Sequence, residues 1–271
     1  MRSTFIGGGN MACAMIGGLL ARGAAATDLR VVEPAPAQRT RLAERFPGVG
    51  VHPAIATAAV AGTDIVVLAV KPQQMQDAAR QLSPFIGGVP LVLSIAAGVR
   101  CDDLSRWLGG YRRIVRAMPN TPALIGAGIS GLYATPEGRP SATSAVEVLE
   151  ACGEVIRCAD ERDLDAVTGV SGSGPAYVFY FLEALEQAAC ELGLDAAVAR
   201  RLAYATFAGS VALAQQSPEP PATLRANVTS KGGTTARALD VLNAAKVKEQ
   251  FIAAVKAAAA RARELGDEIA R

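Results

Sequence analysis

Histidine occurs once in this chain of 271 residues, at His52. No polyhistidine metal centre can be built, and no Ser-His-Asp triad without that residue. Aromatic side chains are scarce at 5%, which leaves few platforms for stacking bases. Neither sign of charge dominates: 27 Lys and Arg stand against 25 Asp and Glu, a net charge of +2. That balance offers no polybasic face for nucleic acid and no acidic tail. Long apolar runs are missing too. Ile65–Val70 and Leu91–Ala97 are the longest, far short of the roughly 18 residues of a membrane span. The five cysteines (Cys13, Cys101, Cys152, Cys158 and Cys190) are odd in number and show no CxxC spacing. Reduced, buried thiols are therefore expected rather than disulfides. These exclusions leave a small-molecule partner, with no nucleic acid and no membrane.

What is present points to an α/β chain. The N-terminal stretch imitates a secretory leader, with Arg2, an apolar segment and Ala24–Ala26, but Asn10 and four glycines by Gly17 interrupt it. A cytoplasmic protein is expected. Up to residue 158, short β-branched runs alternate with helical patterns. The runs are Phe5–Ile6, Leu29–Val32, Val49–Val51, Ile65–Ala69, Leu91–Ser94, Ile114–Ala117, Ile129–Ala134 and Val155–Arg157. The helical patterns are Asn10–Ala21, Pro36–Arg45, Gln73–Leu82, Arg100–Leu108 and Ser141–Cys152. This alternation predicts a Rossmann-type, doubly wound and mainly parallel sheet over residues 1–160. Beyond Asp160 strand patterns stop, and an all-α domain is expected over 161–271, with helices Glu161–Leu192, Asp195–Gln215, Ala222–Val228 and Thr234–Ala270. Helices apolar nearly all round, such as Ala176–Leu192, need a surface to bury against, which predicts a homodimer or larger homo-oligomer.

The first run ends in Ile6-Gly7-Gly8-Gly9-Asn10-Met11-Ala12. Gly7, Gly9 and Ala12 fill the slots of a dinucleotide-binding loop: the tight turn, the close approach to a pyrophosphate, and helix packing on the strand. The helix N-terminus adds dipole and free amides. Glu33 closes the second strand 21 residues beyond Ala12, where an acid reads the ribose. A carboxylate there favours NADH, whereas nearby Arg39 and Arg41 could serve a 2′-phosphate, so NADPH or NADH stays open. Loops at the carboxyl ends of later strands complete such a site. They are Ala69-Val70-Lys71-Pro72, with Lys71 near phosphate or ribose or else on the surface, Ile95-Ala96-Ala97-Gly98, and Met118-Pro119-Asn120-Thr121-Pro122, where Asn120 is placed to fix nicotinamide or substrate.

Two segments of the helical half are unusual. Gly169–Tyr177 carries three glycines and a proline, which fits a kink, a close approach or a packing crossover. Val228–Thr235 (VTSKGGTT) runs into the last helix, so the amides from Gly232 to Thr235 form an N-terminus suited to a carboxylate, with the hydroxyls of Ser230, Thr234 and Thr235 around it.

Taken together, FIGGGNMA, AVKP, AMPNTP, GSGPAY and NVTSKGGTTARAL, in that order and across the chain, resemble the pyrroline-5-carboxylate reductase family. The resemblance implies reduction of pyrroline-5-carboxylate to proline by NAD(P)H, the last step of proline biosynthesis. It implies active sites at the interface of a dimer whose helical domains interleave. It further implies that Ser230, Gly232, Gly233, Thr234 and Thr235 hold the substrate, with Thr235 at the ring nitrogen. Ile6, Gly7, Gly9, Asn10, Met11, Glu33, Ala69, Val70, Lys71, Pro72, Ala97 and Asn120 would hold the nucleotide. Two positions depart from the family pattern: Lys231, where Pro is frequent, and Glu33, where NADPH-preferring members carry small polar residues. A related hydroxyacid dehydrogenase would share the glycine pattern of Gly169, Gly172 and Gly174, but Val178 and Leu182 stand where its Lys and Asn belong. A non-enzymatic dinucleotide sensor would not need VTSKGGTT. Asp165, Glu183 and Glu219 read as solvated helix acids, with Glu219 just before the substrate loop or else nearer the site. His52 reads as a loop residue after the third strand on the adenosine side, and Tyr177 and Tyr180 as core or interface packing residues.

Overall fold

A computed structural model describes residues 1–87 and 90–270. Arg271, which closes the second expected domain, lies outside the described residues. In chain order come β1 (Ser3–Ile6), α1 (Asn10–Ala21), β2 (Leu29–Val32), α2 (Pro36–Arg45), β3 (Gly50–His52), the single turn α3 (Thr57–Val60) and β4 (Ile65–Leu68). Then follow α4 (Pro72–Leu82), β5 (Leu91–Ser94), α5 (Cys101–Trp107), β6 (Ile114–Met118), β7 (Gly128–Ala134), α6 (Ala142–Glu150) and β8 (Gly153–Arg157).

The strands form one eight-stranded sheet in the order β3-β2-β1-β4-β5-β6-β7-β8. Pairing is parallel from β3 through β6. The connection 119–127 is too short for a crossover, so β7 returns antiparallel to β6. After α6, β8 lies parallel to β7. The strand order reverses between β1 and β4, and a crevice opens there at the carboxyl ends of the strands.

Alternation along the strands builds a core on each face. Phe5, Val31, Ile65, Val67 and Leu93 meet Met15, Ile16 and Leu19 of α1 and Val148 and Leu149 of α6. Ile6, Val32, Val66, Leu68 and Val92 meet Met75 and Leu82 of α4 and Leu104 and Trp107 of α5. Each fully buried Phe, Ile or Leu contributes about 1.5–3 kcal/mol. β1 begins two residues before the expected Phe5. Ser3 and Thr4 are polar yet fully buried, and the Thr4 hydroxyl bonds the Ala59 carbonyl (2.8 Å) and the Thr63 hydroxyl (2.6 Å).

The helical half departs from the expected elements at two places. The span Glu161–Leu192 is not one helix: α7 (Asp163–Val167) leads into a π turn at Thr168–Gly172, and α8 (Gly174–Glu191) starts afresh. α9 (Ala196–Gln216) is capped by Asp195, whose carboxylate accepts from the Ala197 amide at 2.8 Å. After α10 (Pro221–Asn227), the span Thr234–Ala270 divides into α11 (Thr234–Ala244) and α12 (Val247–Ile269), because Lys246 takes a left-handed φ of 53° and closes the first.

Contacts divide the chain into two compact units. One comprises residues 1–173 together with α12 from Lys256 onward, and the other comprises Gly174–Val255. The change in composition near 160 therefore precedes the division by contact. Within the first unit, α7 packs on β7 so closely that a Cβ on Gly131 would come within 2.8 Å of Val167. The end of α12 lies on the Ile95–Gly98 loop, where Arg100 donates to Asp267 at 2.6 Å. Within the second unit, Tyr177, Phe181 and Phe251 pack edge to face. Among the described residues no helix is long and apolar enough to cross a membrane. All five cysteines are free thiols.

Candidate active site

The crevice between β1 and β4 is shaped by glycine. Gly7 turns the chain with φ +100°, and a Cβ there would stand 2.8 Å from the Ala69 carbonyl oxygen. Only a residue without a side chain lets β1 exit this close to the Ala69–Pro72 turn. Gly9 differs. It is the extended N-cap of α1 (φ −75°, ψ −175°), and a Cβ built on it would meet no described atom within 4 Å. Packing within the protein gives no reason for glycine there, whereas a pyrophosphate lying on the backbone does. The first helical bond runs from the Cys13 amide to the Gly9 carbonyl at 2.9 Å. The amides of Asn10, Met11 and Ala12 therefore point out of the helix end as donors for an anion. Ala12 is buried against the sheet. Burial is also what raises the Cys13 thiol above its ordinary value, partly offset by Arg45, so this thiol is no nucleophile.

Glu33 sits at the carboxyl end of β2. One carboxylate oxygen accepts from the Gly8 amide at 3.1 Å and the other from the Ala35 amide at 2.9 Å. The Gln38 side chain donates to the Gly8 carbonyl at 2.7 Å, so the Gly8 residue is held at both its amide and its carbonyl. Arg39 turns inward, donating to the Glu33 carbonyl at 3.1 Å and the Pro34 carbonyl at 2.6 Å. A cavity of about 560 Å³ gathers Ile6, Gly7, Gly9, Glu33, Ala69, Val70 and Lys71 along its walls. Pro53, Ala54 and Ile55 after β3, with Gln74, Asp77, Ala78 and Gln81 of α4 and Gly8, Val32 and Pro34 beside Gly7 and Glu33, complete it and were not anticipated. The rule that ligands bind beyond the strand ends would have pointed to the first three. The glycine cradle, the free amides and the carboxylate at the ribose position together fit a dinucleotide.

Other expected residues lie outside those walls. Asn10, Met11 and Pro72 begin helices beside the cavity. Ala97 belongs to the loop under the end of α12. Asn120 is buried, and its amide spends both ends on the protein: the nitrogen donates to the Ser171 carbonyl at 3.1 Å, and the oxygen accepts from the Ile129 amide at 2.9 Å. It ties the end of β6, the start of β7 and the π turn together. His52, expected in a loop after the third strand, is instead the last residue of β3, paired with Val32 of β2, and its carbonyl accepts from the Glu33 amide at 2.9 Å. Asp165, expected in solvent, is buried with Arg263 3.9 Å away.

In the second unit, Ser230 and Gly233 close a turn through a 3.0 Å backbone bond, and Gly232 takes φ +72°. Gly233 is the N-cap of α11, with no capping side-chain bond among the described residues. The amides of Thr234 and Thr235 consequently face outward at the positive end of an 11-residue helix. The loop is open, and Thr235 is half-buried.

Comparison with known proteins agrees with this architecture. Residues 161–265 match the family model described as pyrroline-5-carboxylate reductase dimerisation. Residues 2–98 match that described as NADP oxidoreductase coenzyme F420-dependent. The chain is 42% identical to pyrroline-5-carboxylate reductase of Pseudomonas aeruginosa, over 99% of this chain and 98% of that one. With the Escherichia coli enzyme it shares 37% identity over 98% and 97%. Among solved structures, that of the Coxiella burnetii reductase superposes with a TM-score of 0.89 at 37% identity, covering 97% of this chain and 98% of that one. The Plasmodium falciparum pyrroline carboxylate reductase with NADP bound gives 0.86 at 27% identity, covering 98% of each. Near-complete coverage at these identities shows that the chain belongs to the pyrroline-5-carboxylate reductase family.

Proposed function

We propose that this chain reduces 1-pyrroline-5-carboxylate to proline in the cytoplasm, acting as a homodimer or an assembly of dimers. The observation that carries the reading is the pairing, in one chain, of a dinucleotide cradle at Gly7–Ala12 with an uncapped anion site at Gly232–Thr235. Bound NAD(P)H supplies a hydride from C4 of its nicotinamide. The substrate, a protonated cyclic imine, is already an electrophile, so the protein needs no strong acid or base. Its work is alignment.

The amides at the start of α11 and the hydroxyls of Ser230 and Thr234 clamp the substrate carboxylate. The Thr235 hydroxyl accepts from the iminium N–H and holds the ring with the imine carbon, which becomes C5 of proline, exposed to attack. Hydride addition at that carbon turns the C=N bond into a C–N bond, and its electron pair passes to nitrogen, leaving a neutral amine that takes a proton from water. Residues 161–271 serve as the substrate-binding and dimerisation part. Support for self-association comes from α8 and α9, where Phe179 and Tyr180 are 63% and 68% exposed and Val198, Leu202 and Leu213 stand in solvent. Initial rates with pyrroline-5-carboxylate and each reduced nucleotide test the activity. Oxidation of neither would overturn it. A monomer by light scattering at micromolar concentration would refute the dimer.

A further inference from the structure

We propose that Glu33 makes this chain selective for NADH over NADPH, because its carboxylate already occupies the backbone donors that a 2′-phosphate would need. The inference rests on the reductase function proposed above and goes further by naming the nucleotide.

The Gly8 and Ala35 amides, at 3.1 and 2.9 Å, each serve one oxygen of Glu33. Two backbone donors, one from the loop after β1 and one from the turn after β2, therefore hold the two oxygens of this carboxylate. The two bonds fix the carboxylate at the wall of the 560 Å³ cavity, next to the phosphate loop. Each oxygen keeps a further lone pair. A ribose with a free 2′-hydroxyl can donate to it and replace a bond to water.

A 2′-phosphate has the opposite chemistry. At neutral pH it offers chiefly acceptors and close to two negative charges, so it meets a fixed carboxylate with repulsion and finds the neighbouring amides taken. Of the cations that could compensate, Arg39 is held elsewhere. Arg39 is drawn onto the Glu33 and Pro34 carbonyls at 3.1 and 2.6 Å. Lys71 shares the cavity with Asp77. Arg41 stands exposed on α2. Removing the carboxylate should do more than end a repulsion. It would release the Gly8 and Ala35 amides as donors for phosphate.

Dissociation constants for NADH and NADPH, measured by isothermal titration on the wild-type chain and on Glu33→Ser and Glu33→Gln, test this directly. Wild type should bind NADH at least tenfold more tightly than NADPH. In Glu33→Ser the ratio should move at least tenfold toward NADPH. Glu33→Gln should move it less, because its amide nitrogen would face one of the two backbone N–H groups. Wild type binding NADPH as tightly as NADH, or a ratio unmoved in Glu33→Ser, would overturn the inference. Retained proline formation in that case leaves the reductase function standing. Wild type binding neither nucleotide overturns both. If Glu33→Ser does not fold, the wild-type ratio and Glu33→Gln decide.

Discussion

Two glycines two residues apart should respond to the same substitution in opposite ways. Gly9→Ala places a methyl where no described atom lies within 4 Å, in backbone that any residue adopts. Alanine is a poorer N-cap than glycine by about 0.5–1 kcal/mol, and it loses about 0.4–1 kcal/mol less chain entropy on folding. The two nearly cancel, so Tm should stay within about 3 °C. Gly7→Ala forces a side chain into φ +100° with its Cβ 2.8 Å from the Ala69 carbonyl oxygen. Left-handed backbone costs about 1–2 kcal/mol and overpacking about 1–3 more, which lowers Tm by roughly 5–15 °C. Nucleotide affinity completes the contrast. Gly9→Ala should weaken it at least tenfold in a fully folded protein, about 1.4 kcal/mol of lost phosphate contact. Thermal melts paired with nucleotide titrations measure both quantities. Unchanged affinity in Gly9→Ala, or a Tm drop matching that of Gly7→Ala, would refute the cradle.

Other outcomes follow from the same structure. Thr235→Ala should cut kcat/KM at least tenfold, about 1.4 kcal/mol, with Tm unchanged, and unaltered kinetics would remove Thr235 from the mechanism. Glu161→Ala strips the partner, 3.1 Å away, from Arg116, whose side chain is only 5% exposed, and should destabilise by about 3 kcal/mol. Adding Arg116→Met should recover part of that loss in thermal melts; no recovery would mean the pair's charge is not the cause. Burial raises the thiols of Cys13, Cys101, Cys152 and Cys158, most strongly Cys101, where Glu161 adds to the effect. The native state therefore holds these protons more tightly than the unfolded chain. Their contribution is fully present below about pH 8.5 and is lost as pH rises through the raised values, at up to about 1.4 kcal/mol per unit for each thiol. A Tm that stays level from pH 8.5 to 10.5 would contradict this.

The features readable from sequence were those whose cause is local. Gly7 and Gly9 announce a turn and a cradle because no other residue type meets either demand. Ile65–Leu68 reads as a doubly buried strand because all four positions are apolar. Thr4 escaped notice because its fitness for the core lies in Ala59 and Thr63, more than fifty positions away. The break at Lys246 interrupts a pattern that remains helical in composition, whereas the one at Thr168–Gly172 falls where the glycines of Gly169–Tyr177 already allowed a kink. Asn120 was visible as a polar group at a strand end, but not that Ser171 and Ile129 would take its amide. The return of the last turns of α12 to the first unit depends on Gly98 and Gly266 approaching each other, and neither residue alone announces it.

The most direct measurement of the central claim is to follow the hydride itself. Incubation of the protein with pyrroline-5-carboxylate and nicotinamide nucleotide stereospecifically deuterated at C4, with each C4 epimer used in turn, should yield proline carrying one deuterium at C5 from one of the two epimers. Proline with deuterium elsewhere, or no labelled proline from either epimer, would contradict the account.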